Sequence, residues 1–405
     1  MPLIGRGDRC GSSFPSSTEK SGQVQVTAIS RKKMAEGSDD GDELSIYLKH
    51  VSGKVLFLLV LLALVIVTAI ISATTGPYKV TFWDVVCSVV DHGDSTVDVI
   101  IWNLRLPRIV AAILVGAALG VSGAVMQCVL RNPLGSPFTL GISNAAAFGA
   151  ALGIIFLGGG TVLGQSVTTT YIDNPYIVTG SAFVWALIAT AIIVLLVKIT
   201  KVSPEAMVLT GVAVSSIFAA GLAALQYFSN DSALSNIVYW QFGDLGKINW
   251  DQNWILFFVV VIICLFFYLK RWDYNALDSG DEVAKGLGVE TDMIRIVSLI
   301  LSSLLTAVAV SFVGIIGFVG LLAPHVVRRI IGNDHRFLIP GSMLLGSLVL
   351  LVSDTVGRNM GDLLNWAFGL GVPSFIIPVG IITSFIGGPL FIYILIRGYR
   401  NADKS

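Results

Sequence analysis

From Val55 to Tyr78 the chain runs 24 residues without a charged side chain, bracketed by Lys54 and Lys79. A bilayer core about 30 Å thick is crossed by roughly 20 apolar residues of helix. Within lipid a helix also satisfies its own backbone hydrogen bonds. The run therefore reads as a membrane span, and others follow. Uncharged stretches of suitable length lie at Ile109–Leu130, Asn174–Val197, Ala206–Asn230, Gln252–Leu269 and Phe337–Ser353. The longer runs Asn132–Ile172 and Leu363–Ile396 each hold one span with a polar or Gly-rich approach. Ile296–Val327 is too long for one straight helix; extended into its charged flanks it gives two, Asp292–Phe312 and Gly314–Ile331. Only 13% of the 405 residues are charged against 54% hydrophobic, about half the charge of a soluble domain. Basic and acidic residues balance at 26 each, so no net charge draws the chain to nucleic acid. A soluble enzyme and a nucleic-acid binder are excluded. The expected fold is an all-α membrane protein of about ten transmembrane helices.

Charge placement sets the parity. With ten spans and both termini cytoplasmic, cytoplasmic segments carry 15 Lys/Arg from Lys49 onward. The external side carries five: Lys79, Arg105, Arg108, Lys247 and Arg358. Nine spans would divide the same residues ten and ten, and the positive-inside rule favours the first arrangement. Residues 1–50 are polar and lack the apolar stretch of a signal peptide. They read as a disordered tail, with Met34 as a more conventional start. Residues 51–400 form the transmembrane domain and 401–405 a C-terminal tail.

Cys10, Cys87, Cys128 and Cys264 form no CxxC pair, and His50, His92, His325 and His335 show no ligand spacing. Neither set reads as a metal site, and Cys128 and Cys264 read as small hydrophobes. The centres of the spans hold no Asp, Glu, Lys or Arg. Ion-coupled carriers and voltage sensors usually keep an ionisable residue or a broken helix at mid-membrane. A membrane enzyme needs a nucleophile and base in one plane, and only His325 offers a base there. No catalytic residue is identified, and no phosphate-binding P-loop pattern is present. The composition points to a pathway powered by another subunit.

Four clusters break the apolar monotony. Leu104-Arg105-Leu106-Pro107-Arg108 stands before the second span, with Pro107 suited to a first helical turn. Arg131-Asn132-Pro133-Leu134, then Pro137 and Leu140-Gly141-Ile142-Ser143, follows that span; Asn132 and Pro133 are turn formers. Gly280-Asp281-Glu282-Val283-Ala284-Lys285-Gly286-Leu287-Gly288 is too polar to span, with Ala284 and Leu287 at i,i+3 and Gly286 and Gly288 permitting a sharp turn. Gly317-Phe318-Val319-Gly320 leads through Pro324-His325 to Arg328-Arg329. Gly317, Gly320 and Pro324 suit close helix packing and a kink. His325 reads as a structural histidine bonded to backbone.

In this order the clusters resemble the FecCD/vitamin B12 permease-type family of ABC importer membrane subunits, over about Val55 to Arg400. The resemblance implies a type II ABC importer permease fold in the cytoplasmic membrane, carrying an iron chelate (siderophore), haem or cobalamin inward. It implies a second permease copy, two ATPase subunits that bind ATP and Mg, and an extracytoplasmic binding protein. The chain itself would need no cofactor and no metal. Carried over, Arg105, Arg108 and Arg358 would be exposed guanidiniums that receive acidic knobs of the binding protein, or else headgroup anchors, with Arg358 pairing to Asp354 at i,i+4. Gly280, Asp281, Glu282, Ala284, Leu287 and Gly288, within a coupling region at 276–292, would seat an Ala284/Leu287 face in an ATPase groove. Asn132, Pro133, Gly317, Gly320 and Pro324 would serve packing and gating, and the path would run along the fifth span.

The chain departs from the family pattern at four places. Ile376-Ile377-Pro378-Val379-Gly380 lacks the usual acidic residue, an extra loop Leu363–Pro373 precedes it, and Ser136 and Ala145 stand where Asp and Gly are usual. The alternative from another class is an ion-coupled secondary transporter of a hydrophobic metabolite, and a membrane enzyme is a more distant one.

Overall fold

The computed structural model describes residues 40–76, 78, 80–90, 96–157, 174–199, 202–369 and 375–402. Among the described residues the regular elements are all helices. The chain divides into a unit ending at Val55 and a unit from Leu56 to Ser405. The first helix, α1 (Asp40–Thr74), begins inside the stretch expected to be a disordered tail, so residues 40–50 are helical. The rest of that tail lies outside the described residues.

Each of the ten expected spans carries a helix. They are α1, α4 (Leu106–Val129), α5 (Ile142–Phe156), α6 (Pro175–Ile199), α7 (Pro204–Phe228), α9 (Trp250–Leu269), α12 (Thr291–Val313), α13 (Val319–Ile331), α14 (His335–Arg358) and α16 (Val379–Ala402). Among the described residues, seven segments are long and apolar enough to cross a bilayer, and α5 and Val379–Tyr393 are shorter apolar helices. The ambiguous Ile296–Val327 stretch does split in two. Gly314, at φ 83°, closes α12, and an irregular segment leads into α13.

Between the spans lie short helices that hydropathy does not reveal. They are α2 (Phe82–Val90), α3 (Thr96–Ile100, continued by a π-helical turn to Arg105), α8 (Asp231–Gln241), α10 (Arg271–Asp278), α11 (Asp281–Gly286) and α15 (Met360–Phe368). Local capping explains several starts: Asn230 Oδ1 accepts from the Ala233 amide at 2.8 Å, and Asn249 and Gln252 form a reciprocal capping box on α9. Because α15 is helical to Phe368, residues 363–368 of the extra segment expected as a loop are helix; 370–373 lie outside the described residues.

Helix α4 is the axis of the bundle. Its residues are almost all buried, with α14, α13, α12 and α9 packed around it. A helix apolar on every side belongs at a centre, and the small residues of α4 let its neighbours approach to backbone distance. A Cβ on Gly116 would lie 2.5 Å from the Gly346 carbonyl oxygen, one on Gly120 would lie 2.2 Å from that of Ser342, and one on Gly123 only 1.6 Å from that of Gly320. This is the small-residue seam by which helices associate in lipid, where apolar burial gives them no reason to meet. Helix α7 is different. It buries Met207, Gly211, Val214, Phe218 and Leu222 on one face and exposes Leu209, Val212 and Ile217 on the other.

Candidate functional site

Two charge networks mark the ends of α4. From Arg108 to Cys128 is twenty residues of helix, about 30 Å at 1.5 Å per residue, which matches the apolar thickness of a bilayer. Charged groups thus sit where lipid ends.

At the N-terminal end of α4, Asp354 near the close of α14 is shared by two guanidiniums. Arg108 Nε reaches Asp354 Oδ1 at 2.8 Å, and Arg358 Nε reaches Oδ2 at 3.0 Å. Arg108 also faces Asp244 at 3.5 Å. Arg358 donates to the Ser72 carbonyl at 3.2 Å and to its hydroxyl, while Arg105 donates to the carbonyls of Ala73 and Tyr78. Asp244 further accepts from Tyr239 Oη at 3.0 Å and from the Gly246 amide at 2.8 Å. Burial and the neighbouring Asp244 push the Tyr239 phenol up to about 12. The three arginines expected as exposed anchors are only 5%, 9% and 7% exposed. They brace α1, α4 and α14 from inside, because each finds chain oxygens to satisfy it. Of the alternatives weighed for Arg358, the pairing with Asp354 is present.

At the other end, Asp281 opens α11 and receives three contacts. Arg295 of α12 grips it with both terminal nitrogens, at 3.0 and 2.7 Å, and Arg131 after α4 meets it at 2.6 Å. The hydrogen bonds from Arg295 hold the Asp281 carboxyl below the usual carboxylate range, against partial burial and with Arg131 assisting. Arg295 is 2% exposed, so this is a buried cation reaching the surface through one carboxylate. Arg131 also donates to the Leu277 carbonyl at 3.1 Å, fastening α10. Nearby, Asn275 Nδ2 donates to Asp334 at 3.0 Å and Arg336 Nε to the same carboxylate at 2.8 Å. Burial alone would raise the Asp334 carboxyl; those hydrogen bonds outweigh it and hold it at about 2.

The α11 segment stands between two left-handed glycines, Gly280 at φ 117° and Gly288 at φ 83°. Gly286 is helical, so of the two glycines assigned the sharp turn from sequence it is Gly288 that makes it, while Gly280 turns the chain at the other end of the helix. Ala284 and Leu287 do not share an exposed face. Ala284 is fully buried against the bundle, and Leu287 is 70% exposed. A six-residue helix has one inner side, and alanine is small enough to be drawn into it. Glu282, Val283, Lys285, Gly286, Leu287 and Gly288 are the outward positions.

The remaining expected residues fall into place locally. Asn132 Oδ1 caps the Leu134 amide at 2.9 Å, in the turn that carries Pro133. Gly320 lies on the α4 seam, and Pro324 is buried inside α13. Gly317 is looser, with Ser384 Oγ 3.3 Å from its notional Cβ. His325 makes no hydrogen bond through Nδ1 among the described residues and lies against Phe391, unlike the backbone-bonded histidine expected.

Phe318 carries no sequence signal yet is the most unusual residue near the bundle's open spaces. Its φ of 66° is an outlier for a bulky side chain. It lines both a cleft of about 510 Å³, with Gln241, Phe242, Gly380 and Phe385, and a smaller one of about 200 Å³, with Leu119, Thr139 and Thr306. Strained backbone of this kind clusters at gates and clamps. Helix α7, expected to line the path, borders neither cleft.

A buried axis, charge networks a bilayer apart and a polar outlying helix braced to the bundle form the frame of a transport subunit. Residues 63–397 match the FecCD transport family. The chain belongs to that family. It is 46% identical to a Methanocaldococcus jannaschii protein named as an ABC transporter permease, over 88% of this chain and 98% of the other. The hemin transport system permease protein of Yersinia pestis is 34% identical over 83% of this chain and 94% of its own. Among solved structures, an inward-facing metal-chelate type ABC transporter matches with a TM-score of 0.70 and 30% identity, covering 84% of this chain and 98% of that one. The FecCD chain is thus a multi-pass membrane permease with the type II ABC importer permease fold.

Proposed function

We propose that this permease pairs with a second copy of itself, receives a ferric siderophore, haem or corrinoid from an extracytoplasmic binding protein, and is driven by two cytoplasmic ATPase subunits. The observation that carries the reading is α11. It exposes Val283 and Leu287 while Asp281 locks it to Arg295 inside α12 and to Arg131 at the end of α4. Force applied to that exposed face passes through short charge-assisted contacts into two central helices. The hemin and metal-chelate relatives support the cargo class.

In this reading the Asp281 end faces the cytoplasm, in keeping with the excess of Lys/Arg there. The exposed apolar face of α7 is offered to the second copy. Arg105, Arg108 and Arg358 face the binding protein. An acidic knob gains their guanidiniums only by displacing Asp354 or backbone carbonyls, so docking would loosen α14 from α4. The bundle supplies shape and an uncharged interior, and motion is rigid-body alternation of helices.

The test is ATPase activity in nanodiscs holding the permease with its ATPase, with and without the binding protein loaded with haem or a ferric siderophore. Loaded binding protein should stimulate hydrolysis severalfold over permease and ATPase alone. Failure of every loaded chelate to stimulate it would count against the reading.

A further inference from the structure

The C-terminal end of α4 brings together three residues that no motif connects. Cys128 lies in the last turn of α4, Asp278 ends α10 and His335 begins α14. The Cys128 sulfur, an Asp278 carboxylate oxygen and a His335 ring nitrogen all lie within 4.8 Å of one another. His335 Nε2 is 3.0 Å from Asp278 Oδ2, and Cys128 Sγ is 3.5 Å from the Tyr274 carbonyl.

We propose that Cys128, Asp278 and His335 form a binding site for one transition-metal dication of the Zn²⁺ or Fe²⁺ type. Thiolate, imidazole and carboxylate together suit such ions, whereas Mg²⁺ and Ca²⁺ take oxygen alone. Three protein ligands leave a fourth tetrahedral position for water. With bonds of about 2.0–2.3 Å, tetrahedral donors stand about 3.3–3.8 Å apart. The three groups therefore reach a metal by side-chain shifts of about 1 Å.

The surroundings supply what such a site needs. Asp278 borders an open cleft of about 440 Å³ with Gln127, Arg131, Asn333 and Arg328, which gives an ion access. The His335 ring is positioned from its backbone, since the His335 amide donates to Asn275 Oδ1 at 2.8 Å. Its Nδ1 has no hydrogen-bond partner among the described residues, so freeing Nε2 moves the ring proton to a nitrogen whose acceptor must be water entering from the cleft. Arg328, Arg131 and Arg295 are nearby cations that oppose a dication; Arg328 is engaged by Gln127 Oε1 at 3.0 Å, and Arg131 and Arg295 by Asp281. On binding, the Cys128 thiol proton leaves to solvent and the sulfur ligates as thiolate; the Asp278–His335 hydrogen bond is exchanged for two metal bonds, while Asn333 Nδ2, which donates to the same Asp278 oxygen, remains its hydrogen-bond donor. A bound ion would bridge α4, α10 and α14, one turn from the Asp281 brace.

The test uses full-length permease in detergent with Cys10, Cys87 and Cys264 replaced by alanine, titrated with Co²⁺ as a spectroscopic stand-in and then with Zn²⁺. The expected result is a near-ultraviolet sulfur-to-cobalt charge-transfer band that saturates at one ion per chain and is displaced by Zn²⁺ but not by Mg²⁺. Asp278→Asn and His335→Gln, each checked by gel filtration, should weaken Co²⁺ binding by at least about tenfold. Because His335 is fully buried, Asp278→Asn alone decides the point if the histidine variant does not fold. Absence of the band, or unchanged Co²⁺ affinity in Asp278→Asn, would overturn the assignment.

Discussion

Asp281→Asn should uncouple the α11 segment from the bundle while leaving the helices assembled. The change removes one charge from a carboxylate that Arg295 holds at 2.7 and 3.0 Å and Arg131 at 2.6 Å. Stranding a buried cation costs about 3–5 kcal/mol, and Arg295 is such a cation. The Asp281 side chain is itself one-third exposed and that of Arg131 slightly more, so solvent screening holds the Arg131 contact to about 1 kcal/mol or less. Asparagine also keeps one acceptor oxygen. The lower end, about 3 kcal/mol, is the reasonable figure, and it corresponds to a shift of about 150-fold between braced and loose segments. Uptake and ATP hydrolysis, measured together in proteoliposomes, read this out. Uptake per ATP hydrolysed should fall by more than tenfold in Asp281→Asn. Equal ratios in wild type and Asp281→Asn would refute the coupling role of the brace.

Three further expectations follow from single contacts. Gly123→Ala places a methyl 1.6 Å from the Gly320 carbonyl oxygen, with backbone on both sides, so unfolding in detergent should show a loss of about 1–3 kcal/mol; combining it with Gly320→Ala should cost less than the sum, because both press on one seam. The Asp334 carboxyl is lowered from 3.8 to about 2, so its contribution is fully present above pH 3.8 and is lost as pH falls toward 2. Thermal unfolding over that window should be less acid-sensitive in Asp334→Asn. Leu287→Asp should weaken association with the ATPase at least about tenfold, as loss of an exposed apolar anchor does, with unchanged permease stability; equal binding by pull-down titration would remove Leu287 from the contact.

Span positions were legible because lipid imposes length and apolarity on the sequence itself, as at Val55–Tyr78. The split after α12 was legible too, since a helix cannot run straight from Ile296 to Val327. Burial of Arg105, Arg108 and Arg358 was not, because most of their partners are distant in sequence: Asp354 is 246 residues from Arg108 and Ser72 is 286 from Arg358, although the Arg358–Asp354 pair at i,i+4 was readable. Ala284 was misassigned to an outward face because i,i+3 spacing shows which residues share a side without saying which side meets the bundle. The α4 seam had a readable signal in Gly116, Gly120 and Gly123. Phe318 and the Cys128–Asp278–His335 cluster had none, since one depends on a backbone angle and the other on three helix ends meeting.

In the proposed function the power comes from outside the chain. Chelate uptake into vesicles that hold the permease with its ATPase and binding protein, measured with internal ATP supplied or withheld and with proton and sodium gradients collapsed, tests this directly. Uptake should require ATP and persist without either gradient. Uptake that survives ATP depletion and stops with an uncoupler would contradict the account.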